Sequence, residues 1–530
     1  MTAFESLHGN TAHDLNGEQP SPIDWRSGPP LPSVRPTTVP ELIADCLRRF
    51  PTAPVVSDGN RTATWSDLDA WSAQVAAAWS THLPVGGRCA ILVGNGLVHL
   101  VAELACWRLG AIAVPVFLGF GAQRIAELLM RVEPQVAVVD DQQIALAVPA
   151  KVLKQSSFDL WSTSSGQRQD KDRAVKSDDP CLIQFTSGST GVPRGVILTH
   201  DNLASQQAAF GLHWPEIGPG DRLAAYLPWH HSFGGLAERL WSLCRGAHLT
   251  VVPGGGRDRQ RFINTIRAVA PTVFFSVPKI HALAAAENLF VRGGPLRWAF
   301  TAGAPMPDDL RQWYAQRNIP ICEGWGLTET SPSCTLTRPG IGREGVVGWP
   351  IAGVTVGVRQ SDGRILVCGP NVMAGYFRQP TPTLCDGVLD TGDIGAWSED
   401  GLRLRGRADH QLKLGNGEKV CAAALEAALH NHPAILHAVV AAEPEIIAVI
   451  EAQMGYASAE IWAAIDAVNA DQAVPYQRIT ALYIMHQQMS VENGMLTASL
   501  KVSRGQVLAA FRRWRCDGGS AFARYESNEN

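Results

Sequence analysis

The sequence predicts an α/β protein: a large amino-terminal domain of mostly parallel sheets flanked by helices, followed by a small α+β carboxy-terminal domain. Two observations predict it. From about residue 39 to residue 405, segments with apolar positions three and four apart alternate with short runs rich in Val, Ile and Ala, the pattern of helices returning over buried parallel strands. After Gly406-Arg407 the scale changes, and helices and strands follow one another within roughly 120 residues, the size of an independent unit. The length agrees, because 530 residues exceed what one hydrophobic core usually supports.

Residues 1–36 are polar and carry Pro20, Pro22, Pro29, Pro30, Pro32 and Pro36, so they read as a flexible arm. The large domain is expected over 37–406. Its helical periodicity falls on Val39 to Phe50, Trp65 to His82 and Gly96 to Leu109; its strand-like runs are Cys89 to Val93, Ala111 to Phe117, Val136 to Val139, Leu249 to Val252, Thr272 to Val277 and Trp298 to Thr301. The small domain, 407–530, reads as helix Ala422 to His430, strands near Ile435 to Val440 and Ile446 to Glu451, helix Ala459 to Asn469, strand Thr480 to Met485 and helix Arg504 to Trp514.

Charge narrows the partners. With a formal charge of -4 and 18% charged residues, no basic excess points to nucleic acid or to an anionic membrane. The cysteines are scattered without a CxxC pair, which suits reduced thiols in a cytoplasm. The first residues lack the apolar stretch of a secretory signal. His99, Glu103, Arg108 and Pro115 interrupt the longest apolar region, so no transmembrane segment is expected.

The richest chemistry lies at Thr186-Ser187-Gly188-Ser189-Thr190-Gly191-Val192-Pro193-Arg194-Gly195. Glycines let backbone N–H groups turn toward an anion, hydroxyls add donors, and a guanidinium supplies fixed charge, so the run reads as a phosphate cradle. It is not a Walker A loop, which requires Gly-Lys before the Ser or Thr. Taken alone, this composition suits a surface turn equally well.

In order, the run resembles the phosphate loop of the adenylate-forming (AMP-binding) superfamily, with Arg194 where those proteins usually have Lys. Further motifs follow in the family's sequence. Leu227-Pro228-Trp229-His230-His231 resembles its Leu-Pro-x-x-His, which puts His231 beside the substrate carboxylate and leaves Trp229 and His230 as packing neighbours. Thr301-Ala302-Gly303-Ala304-Pro305 is similar to the adenine-side loop. Glu323-Gly324-Trp325-Gly326-Leu327-Thr328-Glu329 resembles the motif whose aromatic residue, here Trp325, stacks on adenine, whose Thr meets the α-phosphate and whose Glu holds Mg²⁺. A hard carboxylate oxygen such as that of Glu329 suits this ion.

The resemblance continues through Asp393, which would accept from the ribose hydroxyls, Arg407, which would also reach the ribose, and Asp409, the implied hinge of a mobile carboxy-terminal domain. Lys413, Gly415, Asn416 and Gly417 fall on the loop implied to meet coenzyme A, and Lys501 on the adenylation lysine. Its wording is closest to the long-chain fatty acyl-CoA synthetases, with feruloyl-CoA synthetase-like features in LPWHHSFGG. Gly363-Arg364, Cys368, Ala422 and Ala498 depart from the usual pattern without removing a nucleotide contact.

The resemblance implies a ligase that activates a carboxylic acid as acyl-AMP and passes it to coenzyme A, with Mg²⁺ as cofactor. Thr186, Arg194, His231, Glu329 and Lys501 would carry catalysis, and His231, Phe233, Gly234, Ser276, Val277 and Ala302 would line the acyl pocket. Three alternatives stay open: an aryl acid, an acyl carrier protein as acceptor, and a nucleotide-binding scaffold without catalysis. Glu329, Asp393, Arg407 and Lys501 occurring together weigh against the scaffold, and the lack of an obvious insertion weighs against the carrier.

Overall fold

The computed structural model describes residues 22–59, 61–120, 122–140, 151–154, 174–186, 194–214, 217–256, 258–340, 342–408, 411–413, 419–443, 445–470, 472, 475, 478–496, 502–518 and 520–525. It is α/β and divides into two compact units. The larger comprises residues up to Thr186, Arg194–Thr391 and Ala396–Leu404; the smaller comprises Gly392–Gly395 and the chain from Arg405 onward.

Parallel pairing dominates the centre of the larger unit. Strands Lys151–Lys154, Val136–Val139, Arg88–Leu92, Ile112–Pro115 and Pro180–Thr186 run parallel in that spatial order. Arg194–Thr199 and Gly375–Tyr376 then add to the edge antiparallel. A second sheet takes Val273–Ser276, Trp298–Ala302 and Ile321–Trp325 in parallel, and a third takes Arg222–Ala225, His248–Val251 and Pro54–Asp58. Central strands such as Val136–Val139 are buried on both faces, which is why they read as unbroken apolar runs.

The helices between them start where the sequence provides caps. Thr38, Thr64 and Thr199 each accept a hydrogen bond from the backbone N–H three residues on, and that residue's side chain returns the bond. Helix Leu97–Arg108 is buried along its whole length, so it sits inside the unit instead of on its surface. Phe233–Leu240 is a π-helix, also wholly buried.

The fourth sheet departs from expectation. Strand Ile23–Ser27, within the segment read as a flexible arm, pairs antiparallel with Thr355–Arg359, and that strand pairs with Arg364–Cys368. The Ser27 hydroxyl meets that of Thr355 at 2.8 Å, and the Trp397 indole N–H donates to Asp24 O at 2.9 Å. The prolines that suggested a loose arm flank this edge strand, a position sheets tolerate.

In the smaller unit, Ile435–Ala442, Ile446–Ala452, Ala481–Met485 and Phe522–Tyr525 form one sheet. Helices Ala422–His430 and Ser458–Ala470 pack on one face and Arg504–Asp517 on the other, giving two apolar layers. Among the described residues, no helix is long and apolar enough to cross a membrane.

Candidate active site

The two strands bounding the phosphate-loop sequence end opposite each other, with Thr186 paired to Arg194. The Thr186 hydroxyl lies 3.5 Å from Arg194 O. Ser187, Gly188, Ser189, Thr190 and Gly191 lie outside the described residues. What is seen is the mouth of the loop: one hydroxyl and one guanidinium at adjacent strand ends.

Arg194 leans over the ring of Tyr376, its guanidinium carbon 5.2 Å from the ring centroid. The Tyr376 hydroxyl donates to Glu329 Oε1 at 2.8 Å. Burial first, and then the Glu329 carboxylate, push this phenol up to about 12, against an opposing effect of Arg194. Tyr376 thus links a cation beside the phosphate loop to the expected metal ligand. Sequence reasoning missed it, because nothing in Gly375-Tyr376-Phe377 marks it as a partner of residues so far away in the chain.

Glu329 sits in a short 3₁₀ turn, Thr328–Thr330, held in place from several sides. The Thr330 hydroxyl receives the Leu327 N–H at 2.9 Å, and Met373 N–H donates to Glu329 O at 2.9 Å. Asn371 Nδ2 donates to Thr330 O and Ser333 O. A Cβ on Gly326 would stand 2.0 Å from Pro332 O, so only glycine permits this close approach. The hydroxyls of Thr328 and Ser232 meet at 3.2 Å, joining this turn to the segment that carries His231.

His231 is half-buried in the turn before the π-helix. Its Nδ1 receives Phe233 N–H at 3.3 Å, and its carbonyl receives Gly235 N–H at 2.8 Å. His230 tilts against Phe117, with ring centroids 4.6 Å apart. Gly303, Ala304 and Pro305 are exposed beyond strand Trp298–Ala302, the location expected of a loop open to a base.

Several expected residues are placed otherwise. The Glu323 carboxylate receives Met306 N–H at 3.2 Å and pairs with Arg311, and its backbone N–H donates to the Thr337 hydroxyl at 2.8 Å. Its side chain therefore braces the loop. Burial raises its carboxyl, and Arg311 counteracts that rise. Trp325, expected to stack on adenine, ends strand Ile321–Trp325 and is 7% exposed.

The expected acyl-pocket residues are also closely packed. Phe233 lies against Phe300 and Phe275, with centroids 5.7 and 6.3 Å away. The Ser276 hydroxyl is buried against that of Tyr226 at 2.6 Å. A Cβ on Gly234 would stand 2.5 Å from Pro228 O. Val277 and Ala302 remain partly exposed.

Within the smaller unit, Arg407 Nη1 donates to Asp393 Oδ1 at 3.1 Å, bringing the two expected ribose residues together. Lys413 belongs to strand Gln411–Lys413. Asp409, Gly415, Asn416, Gly417 and Lys501 lie outside the described residues.

Among the described residues, no group of three His, Cys, Asp or Glu is placed to hold a metal. The donor set still fits Mg²⁺ that arrives with phosphate. Glu329 is a single oriented carboxylate with one oxygen occupied by Tyr376, and Mg²⁺ commonly takes one or two carboxylates, completing its shell with water and phosphate oxygens.

The chain resembles known proteins in sequence and in fold. Residues 43–377 match the family described as AMP-binding enzyme. A long-chain-fatty-acid–CoA ligase of Mycobacterium tuberculosis is 27% identical, over 84% of this chain and 91% of its own. A feruloyl-CoA synthase of Amycolatopsis sp is also 27% identical, over 73% of this chain and 82% of its own. Among solved structures, the o-succinylbenzoate coenzyme A synthetase of Bacillus subtilis, in complex with ATP and magnesium ion, superposes with a TM-score of 0.77 at 21% identity, covering 88% of this chain and 99% of that one. More than half of the chain matches the family, and the protein belongs to the AMP-binding enzymes.

Proposed function

We propose that the protein activates a carboxylic acid, a fatty acid in the leading reading, as acyl-AMP and transfers the acyl group to coenzyme A, with release of AMP and pyrophosphate. A carboxylate resists thiol attack because its leaving group would be oxide; esterification to AMP replaces that with a phosphate monoester. The observation that carries the reading is the line from Arg194 through Tyr376 to Glu329, beside the ends of the phosphate-loop strands.

In the first half-reaction an oxygen of the acid attacks the α-phosphorus in line while pyrophosphate departs. The protein's work is to position the reactants and neutralise growing charge. Thr186, Ser187, Gly188, Ser189, Thr190, Gly191 and Arg194 cradle phosphate, Thr328 meets the α-phosphate, and Lys501 donates to the developing negative charge. Glu329 is the ligand for Mg²⁺, which supplies further neutralisation of phosphate charge when bound. His231 borders the acid's carboxylate, Gly303 to Pro305 border the base, and Asp393 and Arg407 hold the ribose. In the second half-reaction the 407–530 domain turns about Asp409, and the Lys413 to Gly417 loop meets the thiol.

A second reading, an aryl acid of the cinnamate or ferulate type, is favoured by the closed packing of Phe233 against Phe275 and Phe300, which suits a flat, compact acid better than a long flexible one. Pyrophosphate release across a panel of aliphatic and aromatic acids, with and without coenzyme A, tests both readings. Acid-dependent release followed by thioester formation is expected. Release without thioester would point to a carrier protein as acceptor, and no release with any acid would overturn the ligase reading.

A further inference from the structure

The turn that carries His231 rests on a buried polar assembly for which the proposed chemistry has no direct use. Asn95, just before helix Leu97–Arg108, clamps the turn from one side: its Nδ2 donates to Leu227 O at 2.8 Å and its Oδ1 accepts Trp229 N–H at 2.9 Å. Beneath, the Arg239 guanidinium lies 5.0 Å from the Trp229 ring centroid, and the His99 ring meets the same indole edge-on at 5.7 Å. Arg239 Nη2 is 2.5 Å from Glu103 Oε2, and His99 Nε2 is 3.4 Å from Glu103 Oε1. Trp229, His99, Glu103 and Arg239 are all at most 2% exposed.

Charge persists there despite the burial. Burial pushes the Glu103 carboxyl up, but Arg239 and His99 outweigh this and hold it below the usual carboxylate range. The neighbouring Glu238, for which only burial acts, is pushed well above that range. Stability alone gives no reason to keep such a pair, since well-packed apolar residues commonly serve as well.

Geometry supplies the reason. Arg239 lies against the ring of Trp229, two residues before His231, and its Nε donates to Gly235 O at 3.2 Å; Gly235 N–H in turn donates to His231 O. A planar guanidinium can engage a carboxylate, a carbonyl and a ring face at once, which an ammonium cannot. We propose that Arg239, fixed by Glu103, is a positioning residue that brackets His231 and thereby sets the affinity for the acid without touching it. This inference rests on the reading of His231 as the neighbour of the acid's carboxylate.

The test uses the full chain and four variants: the paired neutral change R239M/E103Q, the charge-keeping R239K, and Trp229→Leu beside Trp229→Phe. Thermal melting reports folding, and pyrophosphate release reports KM for acid and for ATP separately. The paired variant should fold and raise KM for the acid about tenfold with KM for ATP nearly unchanged, a modest instance of the loss that small misplacements cause. R239K should recover part of that loss. Parental constants in R239M/E103Q, or equal rises in both KM values, would overturn the proposal. Should the paired variant not fold, the Trp229 pair decides: Phe should keep the parental KM for the acid and Leu should raise it, and equal behaviour overturns the proposal. A parent that releases no pyrophosphate with any acid would remove the ligase reading together with this one, whereas an active parent with indifferent variants removes this one alone.

Discussion

The Tyr376 hydroxyl donates to Glu329 Oε1 at 2.8 Å, so the proposed Mg²⁺ ligand is aimed by a phenol that itself lies under Arg194. Tyr376→Phe keeps the ring beneath the guanidinium and deletes only the donor. A hydrogen bond to a charged group contributes about 1.5–3 kcal/mol, so the apparent Mg²⁺ requirement for pyrophosphate release should rise about tenfold or more. Because burial and Glu329 push the phenol up to about 12, the defect should be the same at neutral and mildly alkaline pH. An unchanged Mg²⁺ titration would separate Tyr376 from the metal.

Lys501→Ala probes the other proposed source of charge neutralisation. Removal of one donor to a developing oxyanion costs about 10²- to 10³-fold, so adenylate formation should slow by that factor while thioester formation from a supplied acyl-adenylate stays near parental. Equal loss in the two half-reactions would remove Lys501 from the adenylation step.

Gly326→Ala tests whether the turn bearing Glu329 depends on backbone contact. The new methyl would stand 2.0 Å from Pro332 O, a backbone atom with little freedom to yield. Overpacking of this kind costs about 1–3 kcal/mol, so melting should fall measurably and pyrophosphate release should fall further than the melting shift explains. A variant with parental melting and activity would contradict the packing described.

Acid should weaken the fold through two buried histidines. His281 Nδ1 accepts from Tyr314 OH at 2.7 Å while its Nε2 meets Phe300 O at 3.3 Å, and His200 Nδ1 receives Val39 N–H at 3.3 Å. Both arrangements need a neutral ring. Burial lowers each to about 4 from an ordinary 6.5. Between those values the unfolded chain binds the proton and the folded chain does not. Their contribution is therefore complete above 6.5 and is lost as pH falls toward 4, up to about 3 kcal/mol each and about 2 kcal/mol of that by pH 5. Melting curves from about pH 7 to about pH 5 should show the decline, and His281→Gln should flatten its slope; an unchanged slope in that variant would refute the assignment.

The elements that were legible in the sequence are those whose burial is written locally. Val136–Val139 is apolar on both faces, and Ala422–His430 repeats at helical spacing; both are found at the expected residues. Strand Ile23–Ser27 was hidden because it is a partly exposed edge strand among prolines whose partner is remote in sequence. The π-helix Phe233–Leu240 was hidden because a wholly buried segment has no polar face from which to read its period. At the candidate site, motif order indicated Thr186, Arg194 and Glu329 but could not indicate Tyr376, whose importance comes only from the tertiary meeting of distant strands. Nor could it tell that Glu323 points at Arg311 and Met306, since a motif places a residue without fixing where its side chain turns.

Strand Ile23–Ser27 also sets a schedule for the birth of the protein. Its Ser27 pairs with Thr355, 328 residues later, so the ribosome releases one side of that ladder long before the other exists. At ordinary elongation rates the wait is roughly 15 to 65 seconds. During it Trp25 and its neighbours travel as an unpaired edge, the kind of segment that nascent-chain chaperones hold and that early misassembly exploits. An amino-terminal segment that looks expendable in sequence is thereby joined late to the larger unit.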